Sequence, residues 1–167
     1  MNVQFDERGN LSPKNEEKFS LQLLKQCFVN EFQESQTREL IYEGLVRFLT
    51  NFYNFTKTSF EIWIDGSFVT KKVNPNDIDI VLIIDAHILK QKGAEIENLF
   101  KSKEAKLSYK VDAYTIAEYD IDSPQYPLFQ IERAYWANWF GYTRRNRQGK
   151  RFPKGFTKLT FNGYEYQ

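Results

Sequence analysis

Three carboxylates, a glycine-serine pair and a few cations are the groups through which this sequence could do chemistry. The stretch "WIDGSFVTKKVNPNDIDIVL", residues 63–82, holds most of them. An apolar run ends at Gly66-Ser67, nine residues follow, and Asp77 and Asp79 then stand one residue apart beside a second apolar run. In a strand, residues i and i+2 share a side, so Asp77 and Asp79 project together while Ile78 and Ile80 face the other way. Two carboxylates that close repel each other unless a cation or hydrogen-bond donors neutralise them. Hard divalent ions such as Mg2+ take carboxylate oxygens, and two metals about 3.5–4 Å apart form a clamp for phosphoryl displacement. Gly66, at a strand end, lets the backbone approach a phosphate, and the next N–H groups and the Ser67 hydroxyl can donate to it. Lys71 and Lys72, in the connecting loop, lie where an ammonium could meet a triphosphate.

A full two-metal site needs a third carboxylate, and Asp112 in "YKVDAY" is the candidate. Tyr109, Val111 and Ala113 share one face of that run, and Lys110, Asp112 and Tyr114 the other. An acid inside a β-forming run must face solvent, pair with Lys110 or another cation, or bind metal. If its strand lies beside the one carrying Asp77 and Asp79, the three converge. A plainer reading stays open: Asn-Pro-Asn-Asp is a good turn, and Asp77 could simply cap it. His87 is the sole histidine and has no Cys or His companion for zinc. No Ser-His or Cys-His nucleophile can be assembled without it, so hydrolase readings are weak. Cys27, among Leu23, Leu24 and Phe28, reads as a small buried hydrophobe.

The elements that must position these groups follow from spacing. "FDERGNLSPKNEE" reads as an N-terminal arm over 1–15. Leu21, Leu24, Phe28 and Phe32 mark a helix from Asn15 or Glu16 to Phe32. Ser35 caps a second helix through about Tyr53, with Leu40, Ile41, Gly44, Leu45, Phe48, Leu49 and Phe52 on its apolar face. Strands are expected over Ser59–Asp65, Asp77–Asp85 and Lys106–Ile116. Residues 86–103 are weakly helical, with Gly93 a break. After Pro124 and Pro127 comes a helix over Gln130–Phe140, where Trp136, Trp139 and Phe140 have core spacing. Gly155–Phe161 is a last short strand. Helices flanking strands give an α/β or α+β class with a mixed sheet. The 167 residues suit one domain: arm, helical pair 16–53, sheet core 59–116, and helix with basic segment 130–167.

Composition narrows the partners. Aromatic residues make up 17% of the chain, so the core is built on rings. The longest aliphatic run, Ile80 to Ile84, is far too short to span a bilayer. The N-terminus lacks the pattern of a secretory signal, and the single cysteine suits a reducing cytoplasm. The net charge is +1, unevenly spread. From Arg144 onward there are seven Lys or Arg and one acid, on a body with 16 basic and 21 acidic residues. Arg144, Arg145, Arg147, Lys150 and Arg151 interleave with Tyr142, Phe152 and Phe156, which suits single-stranded nucleic acid or a tRNA end. A solvated basic loop is an equal alternative, and between the two Arg144 or Arg145 could reach back to a triphosphate.

The Gly-Ser, nine-residue spacer and Asp-x-Asp of residues 66–79 resemble the signature of the DNA polymerase beta-like nucleotidyltransferase superfamily, especially its minimal single-domain members. With "FDERGNL", "VDAY" and "WFGYTRR" the chain is similar, in patches, to small bacterial and phage proteins with a nucleotidyltransferase-like core. The resemblance implies a mixed sheet with packed helices, binding a nucleoside triphosphate with Mg2+. Nucleotidyl transfer to a hydroxyl on a protein or RNA acceptor would follow, and the resemblance implies a toxin–antitoxin or phage-defence module as its setting. By position, it implies that Gly66 and Ser67 bind phosphates, that Asp77 and Asp79 hold metals, and that Asp112 completes the catalytic site. The sequence departs from many relatives in leaving room for only a short helix after Gly-Ser. An inactive nucleotide-binding or regulatory module, or an RNA-binding protein using the basic segment, are the other two readings.

Overall fold

The computed structural model describes residues 3–163. Among them are seven strands and five helices. A small hairpin, β1 (Gln4–Phe5) with β2 (Leu11–Ser12), precedes β3 (Glu16–Lys18) and α1 (Leu21–Lys25). A π-type turn (Gln26–Asn30) leads to α2 (Arg38–Thr56) and β4 (Phe60–Asp65). A single 3-10 turn (Ser67–Val69) and a loop connect to β5 (Ile78–Asp85). Then come α3 (Ala86–Phe100), α4 (Lys103–Tyr109), β6 (Val111–Glu118), α5 (Tyr126–Phe140) and β7 (Phe156–Phe161). The main sheet is mixed, in the order β3-β7-β4-β5-β6. No helix among the described residues is long and apolar enough to cross a membrane.

The alternation of each strand divides the core in two. Ile62, Ile64, Ile78, Ile80, Leu82, Ile84, Val111 and Ala113 face α1 to α4, with Phe48, Phe52 and Phe100 stacked among them. Trp63, Val81, Ile83, Ile116 and Phe156 face α5 through Phe129 and Phe140. The even-numbered acids of β6 and the odd-numbered acids of β4 and β5 therefore lie on the α5 side of the sheet.

Strand direction decides what meets what. Strands β5 and β6 are parallel, with Asp79 opposite Asp112. Parallel strands need a crossover, which α3 and α4 supply, and the crossover returns the chain to the end where β5 began. Strand β4 is antiparallel to β5, with Asp65 opposite Asp79. The C-terminal end of β4 and the N-terminal ends of β5 and β6 thus bring three aspartates into one row.

Several expected boundaries are corrected. Helix α1 begins at Leu21, where the Ser20 hydroxyl accepts from the Leu23 N–H, because Glu16–Lys18 pairs with β7 instead. The second helix starts at Arg38, although Ser35 Oγ still accepts from the Arg38 N–H at 3.2 Å. Gly93 does not break α3: it sits with open space around its Cα, and a glycine there weakens a helix only by about 1 kcal/mol. Residues 106–109, expected as the start of a strand, are the end of α4, which is capped by Ser102 and ended by Lys110 in the left-handed conformation (φ 59°). Helix α5 starts at Tyr126, since Pro127 fits a first helical turn. Trp139 is not core: it is 52% exposed.

Candidate functional site

At the end of the sheet where the aspartates align, a cleft of about 860 Å3 opens. Its lining includes Asp65, Gly66, Ser67, Lys72, Asp77, Asp79, Trp139, Arg144, Arg145, Arg151 and Lys154. One wall is acidic and carried by the sheet; the other is basic and carried by the segment after α5. The volume is that of an ordinary small-molecule site.

Gly66 is there for a steric reason. Its φ of 84° and ψ of −167° lie in a region that only glycine occupies readily. A Cβ at this position would stand 2.0 Å from Oδ2 of Asp79. The bend therefore brings bare backbone against the central carboxylate of the row.

The loop after Gly66 is held by a residue the sequence reading passed over. Arg38, 1% exposed, lies in the first turn of α2. Its guanidinium donates to the carbonyls of Phe28 (2.7 Å), Phe68 (2.6 Å), Thr70 (2.7 Å), Lys72 (2.6 Å) and Val73 (3.3 Å). It also covers the Phe32 ring at 3.8 Å. Burial pulls its pKa down to about 10, so it stays charged at neutral pH. Only a five-donor fork can hold so many carbonyls at once. Asn74 fastens the same loop to α2 by accepting from the Gln36 N–H at 2.8 Å.

The four carboxylates at this end have different surroundings. Asp65 is buried and ion-paired with the equally buried Lys154, and burial pushes its pKa up to about 6 despite that partner. Asp79 is also raised, first by burial and then by repulsion from Asp77 and Asp112, while Lys106 and Arg144 pull the other way. Asp77 and Asp112 share one ammonium: Lys106 Nζ bonds to Asp112 and lies 3.3 Å from Asp77 Oδ2. Those two hydrogen-bonded carboxylates raise the pKa of Lys106. Among the described residues no group of three or more His, Cys, Asp or Glu is spaced to hold a metal ion.

The structure thus brings Gly66, Ser67, Asp77, Asp79 and Asp112 to one place, with Lys72, Arg144 and Arg145 on the cleft lining. Lys71 is elsewhere: its N–H donates to the Gly9 carbonyl at 2.8 Å and its ammonium lies 5.6 Å from the Phe5 ring centre. The cation that meets Asp112 is Lys106, not Lys110. Of the rings in the basic segment, Phe156 is core, Phe152 lies under Arg8, and Tyr142 lies between Lys14 and Arg151. Arg151 braces that segment by donating to the carbonyls of Thr143 and Asn138, both at 3.2 Å.

Asp65, Lys106, Lys154 and Arg38 have no functional reading in the sequence, and Trp139 reads there as core, whereas it is exposed on the cleft lining. Asp65 had a visible signal, an acid ending an apolar strand next to Gly-Ser. The others depend on contacts between distant segments.

The chain belongs to a family of unknown function (DUF6932), which matches residues 3–160. No curated protein and no solved structure matches it.

Proposed function

We propose that the chain is a Mg2+-dependent nucleotidyltransferase, moving a nucleotidyl group from a nucleoside triphosphate to a hydroxyl on a protein or RNA acceptor. The observation that carries this reading is the aspartate row with Gly66 pressed against Asp79, facing a basic wall across one cleft. A polyphosphate needs cations and N–H donors around it, and it tolerates carboxylates only where a divalent ion lies between. The cleft offers the cations and N–H donors, and beside them the carboxylates that would take such an ion. The donor set also suits the ion: three carboxylates offer hard oxygens, and two of them already hold a positive charge in the form of Lys106. Asp77, Asp79 and Asp112 would hold the metal, which would neutralise phosphate charge and polarise the phosphoryl group under attack.

The rest falls to the chain's own side chains. Gly66, Ser67 and the following N–H groups bind phosphate oxygens, and Arg38 keeps that loop in place without touching the ligand. Arg144 orients the triphosphate from the opposite wall, and Lys72 from the loop that follows Gly66. Asp112 lies nearest the attacking hydroxyl. Little covalent work is asked of the protein, because positioning and charge neutralisation carry the rate. The toxin–antitoxin or phage-defence setting rests on the sequence resemblance. RNA binding by the basic segment alone has less support, because Phe156 is core and Phe152 and Tyr142 are half-buried with a cation over each ring. A nucleotide-binding module without turnover is the second reading, favoured by the lysine standing among the acids.

The test pairs binding with transfer. Millimolar nucleoside triphosphate with Mg2+ should raise the melting temperature, and labelled nucleotide should pass to a protein or RNA acceptor. Asp79→Asn should abolish both while leaving a folded chain whose ligand-free stability is higher, since it relieves repulsion from Asp77 and Asp112. Absence of a Mg2+-dependent shift with any of the four ribonucleotides would end the proposal. A shift without transfer would select the second reading.

A further inference from the structure

Three ammonium–carboxylate pairs sit at the same end of the sheet, two of them sharing Lys106, and they differ in one respect that matters. In the Lys154–Asp65 pair both side chains are 9% exposed, whereas in the Lys106 pairs the lysine is 41% exposed and its acids 33% and 28%. A buried pair cannot part without stranding a charge in low dielectric. A pair open to water can part freely, because each ion is rehydrated as it leaves.

We infer that Lys106 is the resident counter-cation of Asp77 and Asp112, and that a divalent ion enters this site only by exchanging with its ammonium. The inference rests on the metal-nucleotide reading above and assigns the lysine a place in it. Three further features support the exchange. First, among the described residues Lys106 Nζ is the one cation bonded to both acids, so it takes the oxygens a metal would need. Second, its helix is anchored by other residues. The Tyr109 carbonyl lies where a Cβ on Gly44 would stand 2.0 Å away, and the Tyr109 hydroxyl accepts from Asn51 at 3.0 Å. The Lys106 head can therefore swing into solvent on its four-carbon stem while α4 stays in place. Third, Asp79 stands opposite Asp112 and two positions from Asp77, so the single charge of Lys106 faces three carboxylates. A doubly charged ion cancels more of their charge. The arrangement keeps the acids neutralised when no metal is bound, and it sets the metal affinity through the competition between the two cations.

The experiment uses the full chain and Mn2+ alone, with free Mn2+ followed by electron paramagnetic resonance and no nucleotide present. Lys106→Gln removes the competing charge at a half-exposed position. It should lower the metal-free melting temperature and bind Mn2+ at least tenfold more tightly than the unmodified chain, with the melting temperature recovering as Mn2+ is added. Lys106→Arg, which keeps the charge, should bind Mn2+ no more tightly than the unmodified chain. Equal or weaker Mn2+ affinity in Lys106→Gln would overturn the exchange while leaving the metal site itself in place. Failure of all three proteins to bind Mn2+ at millimolar concentration would overturn the exchange together with the metal reading beneath it.

Discussion

Replacing Arg38 with methionine is the sharpest test of how the loop after Gly66 is held. Methionine keeps an unbranched stem over the Phe32 ring and removes all five hydrogen bonds. Two of the carbonyls, those of Phe28 and Phe68, are at fully buried bonds, and the other three are at part-buried ones. Water can reach the second group. The two buried carbonyls are left unsatisfied, at about 1–3 kcal/mol each. Part of that is returned because a buried guanidinium no longer has to be desolvated, so the net loss should be about 3 kcal/mol. For a chain of this size that corresponds to a fall of about 6–12 °C in melting temperature. Circular dichroism measures the fall, and amide hydrogen exchange locates it: residues 67–73 should lose protection before the strands do. Arg38→Lys should recover only part of the loss, because three donors cannot reach five acceptors. A change under 2 °C with unaltered exchange in the loop would refute the reasoning.

Two further perturbations follow from the same geometry. Asp65 holds a pKa of about 6 when folded against an ordinary 3.8, so the native state keeps a proton that the unfolded chain has lost. Its contribution is therefore greatest near pH 4 and falls by about 3 kcal/mol as pH rises through 6. Urea titrations from pH 4 to 7 should show that slope, and the double variant Asp65→Asn, Lys154→Met should flatten it. Alanine at Gly66 forces a side chain into a glycine-only conformation against Asp79, which should cost about 2–3 kcal/mol in urea unfolding. Alanine at Gly93, where a Cβ meets nothing within 4 Å, should instead stabilise α3 by about 0.5–1 kcal/mol.

How much of this was legible differs from element to element. The alternation in "EIWID" and "DIDIVLIID" marks β4 and β5 to within a residue, because a strand buried on both faces is written locally. The same local logic put Asp112 and Tyr114 on one face of β6. It failed at 106–109, where "KLSYK" alternates like a strand but lies in the crossover that a parallel β5–β6 pair requires. Misreading that segment hid Lys106, whose reach to Asp77 and Asp112 exists only from a helix placed beside them. Trp139 misled in the opposite way: its spacing from Trp136 and Phe140 is helical, but α5 turns only one face to the sheet.

The types of the reactive groups, their spacing over residues 66–79 and the strands that carry them are properties of neighbouring residues, so the sequence alone determined them. Which acids are neutralised, and by what, was decided by chain direction and packing. The antiparallel β4 puts Asp65 beside Asp79, the parallel β6 puts Asp112 on its other side, and the segment leading into β7 brings Lys154 back to the sheet. Arg38 meets loop carbonyls 30 to 35 positions further along the chain, and Lys154 meets an acid 89 positions before it. No local propensity encodes such pairings, because they arise only when the sheet has closed and a buried charge must find its partner.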